Sequence, residues 1–490
     1  MKPFKIEPGY YSSVKWGGYA LGLSFLRQIF LVPVFIITVG SYGYSFWLIL
    51  STVAVMITAL NLGHLHYSAN LINFIHHKNE DVEPEMIKIQ GATYVYGLLQ
   101  LLFGVIICFT PVLSYITSFP ESYIVARNAG IGFILLLAAK FFLQYISMFV
   151  LRLFEPLGRI NTTLKYQAIG EALDLAATLS AIYITRSIFY TCLAVFIVNI
   201  IFSVIIIFYV AKHVPFKLPF LKNVSLAGSY GIIKGSVVMN SSFLIEKVYD
   251  VGLNLVVVRV FGASAVPLFT TGRVLTNIFY RLCTVMVIPL FPVIQKDYAL
   301  DNRDAIMRKM KIFWTLLSVT IIFGITIGMP FLPYVYSLWT HNKLQFNLSI
   351  ICYLFMAVSF QNFVMIVNEF FKKANLSKQI LFYNIAKSVI TITALVVFGY
   401  YNYLPGLGIA LFIADALCSV YSMLILLGLF KDKITARILL TYLLPVILFC
   451  ISLMCYLYTQ NYWVFLLCNI VILFFFNRKK DLFKNIKKAA

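Results

Sequence analysis

Two arginines, Arg273 and Arg281, interrupt the stretch "LFTTGRVLTNIFYRL" (268–282), which lies in an apolar run long enough to cross a bilayer. A guanidinium at the centre of a membrane helix costs about 2.5–3.5 kcal/mol on insertion scales, so something must offset it: an anion, a paired carboxylate or a water-filled cavity. A separation of eight residues turns an α-helix by about 80° and advances it by about 12 Å, so both side chains can look into one broad space at different depths. Asn277 lies one turn from each. Arginine's planar fork matches phosphate and carboxylate oxygens, which makes an anionic ligand the natural partner.

Other ionisable residues fall in similar runs. The cations are Arg27, Lys140, Lys247, Arg259, Arg273, Arg281 and Lys387; the acids are Glu171, Asp174, Glu246, Asp250, Glu369 and Asp415. Such groups face a bundle interior or a watery cavity, because lipid offers them no partner. Arg259 and Glu369 sit near the ends of expected spans and Glu171 near the start of one, where an interfacial position serves them. Arg27, Lys140, Glu246 and Lys247 lie near mid-span. Glu246 and Asp250 are four apart, hence on one helix face. They can form a proton or sodium coupling site, or an ion-pair network with Arg273 or Arg281. The candidate substrate-binding set is therefore Arg273, Arg281, Arg27, Lys140, Lys247 and Asn277. Asp250, Glu246, Asp174 and Asp415 form the candidate set for coupling or charge balance.

Patterns for other chemistry are missing. No HExxH, GxSxG or Asp-rich metal run occurs, and "GSYGIIKGS" (228–236) lacks the full phosphate-loop pattern. His64, His66, His76 and His77 read as loop residues rather than metal ligands. The eight cysteines lie in apolar runs without ligand spacing and read as buried free thiols. Neither a catalytic residue nor a bound cofactor is expected, beyond proton or sodium coupling.

The elements that position these residues follow from composition. Of 490 residues 61% are hydrophobic and only 12% charged, which predicts an all-α polytopic membrane protein. Hydropathy places fourteen spans at about 16–38, 42–66, 91–117, 126–150, 166–185, 188–211, 229–260, 265–293, 312–336, 346–371, 379–399, 405–429, 437–457 and 461–477. The first apolar stretch is too long for a cleavable secretory signal. Placing both termini in the cytoplasm puts most of the 39 Lys and Arg in inner loops and leaves Arg127, Arg186 and Lys343 outside. The net charge of +21 thus reports topology and contact with anionic membrane lipids, with no call for a nucleic-acid partner. Outer connections are too short for the large loop expected of a membrane polysaccharide polymerase or ligase.

The link "KHVPFKLPFLKNVSLAGSY" separates six spans from the rest, and "SSVKWGGYALGLSFLRQIF" and "GIIKGSVVMNSSFLIEKVYD" start the two halves on a similar course. The expected division is a six-helix lobe at 1–213, a second in the same orientation at 214–430, and two further helices with a basic tail at 431–490.

From Lys234 to Trp339 the chain resembles the Wzx-type polysaccharide flippases of the multidrug/oligosaccharidyl-lipid/polysaccharide exporter superfamily. The residues that carry this are "YDVGLNLVVVRVFGASAVPLFTTGRVLTNIFYRLCTVMVIPLFPVIQKD": an acid, a Gly-marked turn, an arginine in the next helix, then Pro289 and Pro292 before a basic stretch. More loosely similar are "LFEPLGRINTTLKYQAIGEALDL" and "EFFKKANLSKQILFYNI", at matching places in the two lobes. The resemblance implies two lobes around a cationic central cavity and alternating access that carries an undecaprenyl-diphosphate-linked oligosaccharide, an O-antigen or capsule unit, across the bacterial inner membrane. It also implies a polysaccharide polymerase and chain-length regulator as partners, and it makes Arg27 and Arg273 the cavity cations. The rival expectation within the superfamily is a cation-coupled multidrug exporter, whose cavity would be richer in acids.

Overall fold

In a bilayer every backbone polar group must be satisfied within the chain, which leaves the helix as the form for such apolar runs. The computed structural model describes residues 10–117, 119–217, 226–262, 265–340, 344–431 and 436–478, and they contain no strand. Lys343, the middle of the inter-lobe link and the basic tail after 478 lie outside them.

The helices in order are α1 (Tyr10–His77), α2 (Glu83–Cys108), α3 (Thr110–Thr117), α4 (Glu121–Ala126), α5 (Ala129–Tyr145), α6 (Ile160–Thr185) and α7 (Ile188–His213). Then come α8 (Leu226–Phe261), α9 (Ala265–Val287), α10 (Phe291–Ala299), α11 (Arg303–Gly328), α12 (Leu332–Trp339) and α13 (Leu348–Lys373). Last are α14 (Ser377–Tyr400), α15 (Gly406–Leu429), α16 (Ala436–Thr459) and α17 (Tyr462–Arg478). Among the described residues, eleven stretches are long and apolar enough to cross a membrane by length and composition. The expected fourteen include three more that are helical without joining that set: the first segment of α1, the charge-bearing α8, and α17 with its short apolar stretch Tyr462–Phe474.

Two compact units emerge, Gly9–Lys247 and a second from Val248 onward, and the division falls inside α8. They are called the N-unit and the C-unit below. In the N-unit two apolar clusters stack along the helices. One gathers Phe35, Phe46, Leu50, Phe133, Leu136 and Ile182, the other Leu65, Ile72, Ile89, Phe149, Phe154 and Ile206. The C-unit is built around α13, whose apolar stretch is 89% buried, with Leu253, Phe269, Leu354, Leu395 and Leu407 in its core.

The units repeat one course of backbone turns. Left-handed residues occur at Gly40, Asn79, Asn128, Gly158 and Arg186 in the N-unit, and at Gly262, Asp301, Asn375, Asn402 and Gln460 in the C-unit; Gly40, Asn79, Gly158 and Arg186 match Gly262, Asp301, Asn375 and Asn402 in order. The hydrogen bonds that close them match as well: Glu80 N to Ile75 O (3.1 Å) and Asn302 N to Asp297 O (2.8 Å), then Arg159 N to Phe154 O (3.0 Å) and Leu376 N to Phe371 O (2.9 Å). At the third pair of turns the matching ion pairs have opposite polarity, Arg152 with Glu155 and Glu369 with Lys372.

Two glycines bear special strain. Gly40, at φ 78° and ψ 169°, breaks α1 into two membrane-length segments, a conformation that a side chain would resist. Gly63 lets α1 meet α8 backbone to backbone, since a Cβ there would sit 2.5 Å from Asn240 N. Gly63→Ala is therefore expected to destabilise the N-unit by about 1–3 kcal/mol, seen as a lower melting temperature in detergent. Gly324 and Gly328 lie against Phe279 as a helix-packing motif should, whereas Gly18 and Gly22 meet nothing within 4 Å among the described residues.

All eight cysteines are free. The expectation that all are buried needs correction: Cys455 and Cys468 are exposed and Cys108 is half-buried. Cys455 and Cys468 belong to α16 and α17, and the outward sides of such terminal helices stay apolar because they meet lipid.

Candidate functional site

In the N-unit four helical segments converge on one carboxylate. Asp174, on α6, accepts from Arg27 Nη2 on α1 at 2.6 Å, from Lys140 Nζ on α5 at 3.0 and 3.2 Å, and from Asn199 Nδ2 on α7 at 2.9 Å. Its side chain is 2% exposed, so two cations and an amide hold an otherwise costly buried charge. The Arg27 side chain is 39% exposed and engages Asp174 through one terminal nitrogen, which leaves the guanidinium open to a further anion. Glu171 was expected near a span start. Because α6 begins at Ile160 rather than near 166, it stands about three turns in, on an exposed face. The polar "NTTLKYQ" lowers hydropathy without breaking the helix.

The C-unit holds two pairs. Lys387 on α14 meets Asp415 on α15 at 2.5 Å, with side chains 13% and 3% exposed. Tyr249 on α8 lies beside it, its ring centre 5.8 Å from Lys387 Nζ and its hydroxyl 3.2 Å from Thr391 Oγ1. The second pair is loose: Arg273 Nη2 on α9 stands 3.9 Å from Asp250 Oδ1 on α8. Arg273 is 20% exposed and Asp250 48%, with the guanidinium 5.4 Å from the Phe269 ring centre. Asn277 and Arg281, further along α9, are half-buried, as are Glu246 and Lys247 on α8. Arg259 is exposed in the last turn of α8.

Thus of the residues singled out by sequence, Arg27, Lys140 and Asp174 come together in one unit, and Arg273 and Asp250 approach each other in the second. Asp415 binds Lys387, a cation that sequence reasoning had counted but not assigned to the site. Asn199, Tyr249 and Thr391 were not anticipated; each is a polar residue in an apolar helix, the only signal available.

A further buried network lies where α5 ends. The helix continues as a π turn (Ile146–Val150) and a 3-10 turn (Leu151–Phe154), which brings Arg152 into the interior. Arg152 Nε donates to Glu155 Oε1 at 2.9 Å and Nη2 to Asn70 Oδ1 at 2.8 Å, with His66 Nδ1 3.3 Å from Nη1. The loop reading of the histidines is also corrected here. His64 is fully buried on α1, with Nε2 3.0 Å from Thr93 Oγ1 and Nδ1 3.4 Å from Ser68 Oγ. The helix runs on to His77 because its polar face, "HLHYSANLINFIHH", packs into the unit rather than toward water.

No protein-family model matches the chain, and no curated protein matches its sequence. Solved structures do match. A MATE transporter of Vibrio cholerae superposes with a TM-score of 0.69 over 86% of this chain and 99% of its own, at 14% identity. The chain has the MATE transporter fold. An outward-facing multidrug resistance MATE transporter of the MOP superfamily gives 0.65, at 15% identity, over 87% of this chain and 97% of its own. A MOP superfamily transporter from Pyrococcus furiosus, described as having a binding pocket of reversed polarity, gives 0.66, at 15% identity, over 85% and 94%. In this chain the MATE fold carries buried ion pairs on α5, α6, α14 and α15.

Proposed function

We propose that this protein is a flippase of the bacterial inner membrane that moves an undecaprenyl-diphosphate-linked oligosaccharide, an O-antigen or capsule unit, to the outer leaflet by alternating access. The observation that carries this reading is the pair of open guanidiniums deep in membrane helices. Arg27 is 39% exposed, and Arg273 is 20% exposed beside a half-exposed partner. A diphosphate is the ligand best matched to such forks, through charge-assisted hydrogen bonds. Arg281, Lys247 and Asn277 are half-buried companions for sugars and phosphate oxygens, while Lys140 and Lys387 hold their acids in place. Asp250, Glu246, Asp174 and Asp415 balance these charges and are the sites through which protons or sodium ions would couple. Basic loops facing the cytoplasm would meet anionic lipids, and a polymerase and chain-length regulator would receive the product. Deleting the gene should leave lipid-linked units on the cytoplasmic leaflet and stop surface glycan. Restoration by the plasmid-borne gene supports the proposal, and unchanged surface glycan after deletion contradicts it.

The second reading, a cation-coupled multidrug exporter, is favoured by one observation: solved structures with this fold include multidrug transporters. It predicts that overexpression raises resistance to a panel of cationic dyes. Under the flippase reading, resistance to the panel stays unchanged.

A further inference from the structure

We propose that the interior of the N-unit binds a file of water molecules between the second segment of α1 and α2. A stripe of polar residues runs down α1 at helical spacing, Thr58, Asn61, His64 and Ser68, and all are buried. A second stripe on α2, Gln90, Thr93, Tyr96 and Gln100, is buried too. The helices form an antiparallel hairpin whose register is fixed by His64 Nε2 at 3.0 Å from Thr93 Oγ1 and by the His64 ring stacked 4.8 Å from that of Tyr96. One turn back from His64 on α1 is Asn61, and one turn on from Tyr96 on α2 is Gln100, so both amides lie toward the same end of the hairpin.

Other helices close the sides with more polar groups. From α5, Gln144 Nε2 donates to Thr58 Oγ1 at 3.1 Å and the Tyr145 hydroxyl to Gln90 Oε1 at 2.9 Å. From α8, Ser236 Oγ lies 3.2 Å from the Tyr96 hydroxyl, and Asn240 Oδ1 accepts from His64 N at 2.7 Å. Inside this ring Asn61 Nδ2 and Oδ1, Gln100 Nε2 and Oε1, and Asn240 Nδ2 are buried without a hydrogen-bond partner among the described residues. Amides present donors and acceptors side by side and carry no charge. Water satisfies both kinds at once, whereas an ion satisfies only one.

The stripe is not something the fold requires. Gly40 and Gly262, and likewise Asn79 and Asp301, are 222 residues apart (262 − 40 and 301 − 79). That spacing places Tyr280, Cys283, Met286 and Leu290 opposite Thr58, Asn61, His64 and Ser68 in the repeat. The C-unit thus fills the corresponding stripe largely with apolar residues. One end of the file is defined: Gln144 is one turn from Lys140 of the Asp174 cluster.

The test is X-ray hydroxyl-radical footprinting of the purified full chain, in which radicals born from bound water modify side chains that bulk solvent does not reach. Corrected for intrinsic reactivity, His64 and Tyr96 are expected to be modified at rates like that of exposed Tyr115, while Phe35 and Phe46, as buried as His64, stay protected. Protection of His64 and Tyr96 at the level of Phe46 would overturn the proposal. In a folded Asn61→Leu, Gln100→Leu variant, the methyl groups fill the file and modification at Tyr96 falls to the Phe46 level. Modification that persists there also overturns it. The wild-type comparison stands on its own should the variant fail to fold.

Discussion

Arg273→Ala is expected to cut glycan export by about ten- to a hundredfold, since a hydrogen bond to a charged group contributes about 1.5–3 kcal/mol and about 1.4 kcal/mol is a factor of ten. The chain should nevertheless insert and fold normally. The only acid facing the guanidinium at ion-pair distance among the described residues is Asp250, which at 3.9 Å and 48% exposed can be hydrated once Arg273 is gone. Arg273→Lys should recover part of the activity, because an ammonium keeps the charge and loses the fork. Arg27→Ala should lower export similarly, but at some cost in stability, because among the described residues Asp174 then depends on Lys140 and Asn199. Export measured as surface glycan per inserted transporter, in cells lacking the native gene, checks both. Unchanged export from both alanine variants would remove these arginines from the substrate path.

The largest stability effect is expected at Lys387. Lys387→Ala strands Asp415 in the C-unit interior, and breaking a buried pair by removing one partner costs about 3–5 kcal/mol. The loss should appear as a lower melting temperature in detergent and less folded protein. Replacing both, Lys387→Met with Asp415→Leu, should recover most of it, because an apolar pair of similar volume avoids burying either charge. A double variant no more stable than Lys387→Ala would show that the pair does more than neutralise itself. Should the recovered double variant still export glycan, Lys387 and Asp415 are structural. If it is stable but inactive, their charge belongs to the transport cycle.

These two predictions separate roles that the sequence alone had pooled. A charged residue in an apolar run announces that it must be compensated, but not by what. Periodicity showed that Arg273 and Arg281 could share a broad face of α9, and the spacing of the apolar runs made the helical fold legible before any coordinate. It could not show that Asp415 serves Lys387, since the two lie on different helices and only packing decides which faces meet. Of the ion-pair network expected between the acids of α8 and the arginines of α9, the loose contact of Asp250 with Arg273 is present.

Span boundaries failed for one recurring reason. Hydropathy measures affinity for lipid, whereas several helices here are polar along the face they turn inward. So α1 reaches His77 with His64 sealed inside, and the helical path begun by α5 continues past 150 to bury Arg152. Each was missed because its buried face looks like a loop to a scale that counts only apolar residues. The polar stripe of Thr58, Asn61, His64 and Ser68 carries a legible signal in its three- and four-residue steps. Nothing in that spacing distinguishes a wet interior from a watery surface.

The most direct test of the flippase reading is reconstitution of the purified protein into vesicles carrying undecaprenyl-diphosphate-linked oligosaccharide in both leaflets, with a membrane-impermeant glycosidase added outside. Under the flippase reading, digestion proceeds from the outer leaflet's share to nearly the whole pool with the wild-type protein, and stops at the outer share with Arg273→Ala. Digestion that stops at the outer share with the wild-type protein, in vesicles across which an imposed proton or sodium gradient is maintained, would contradict it.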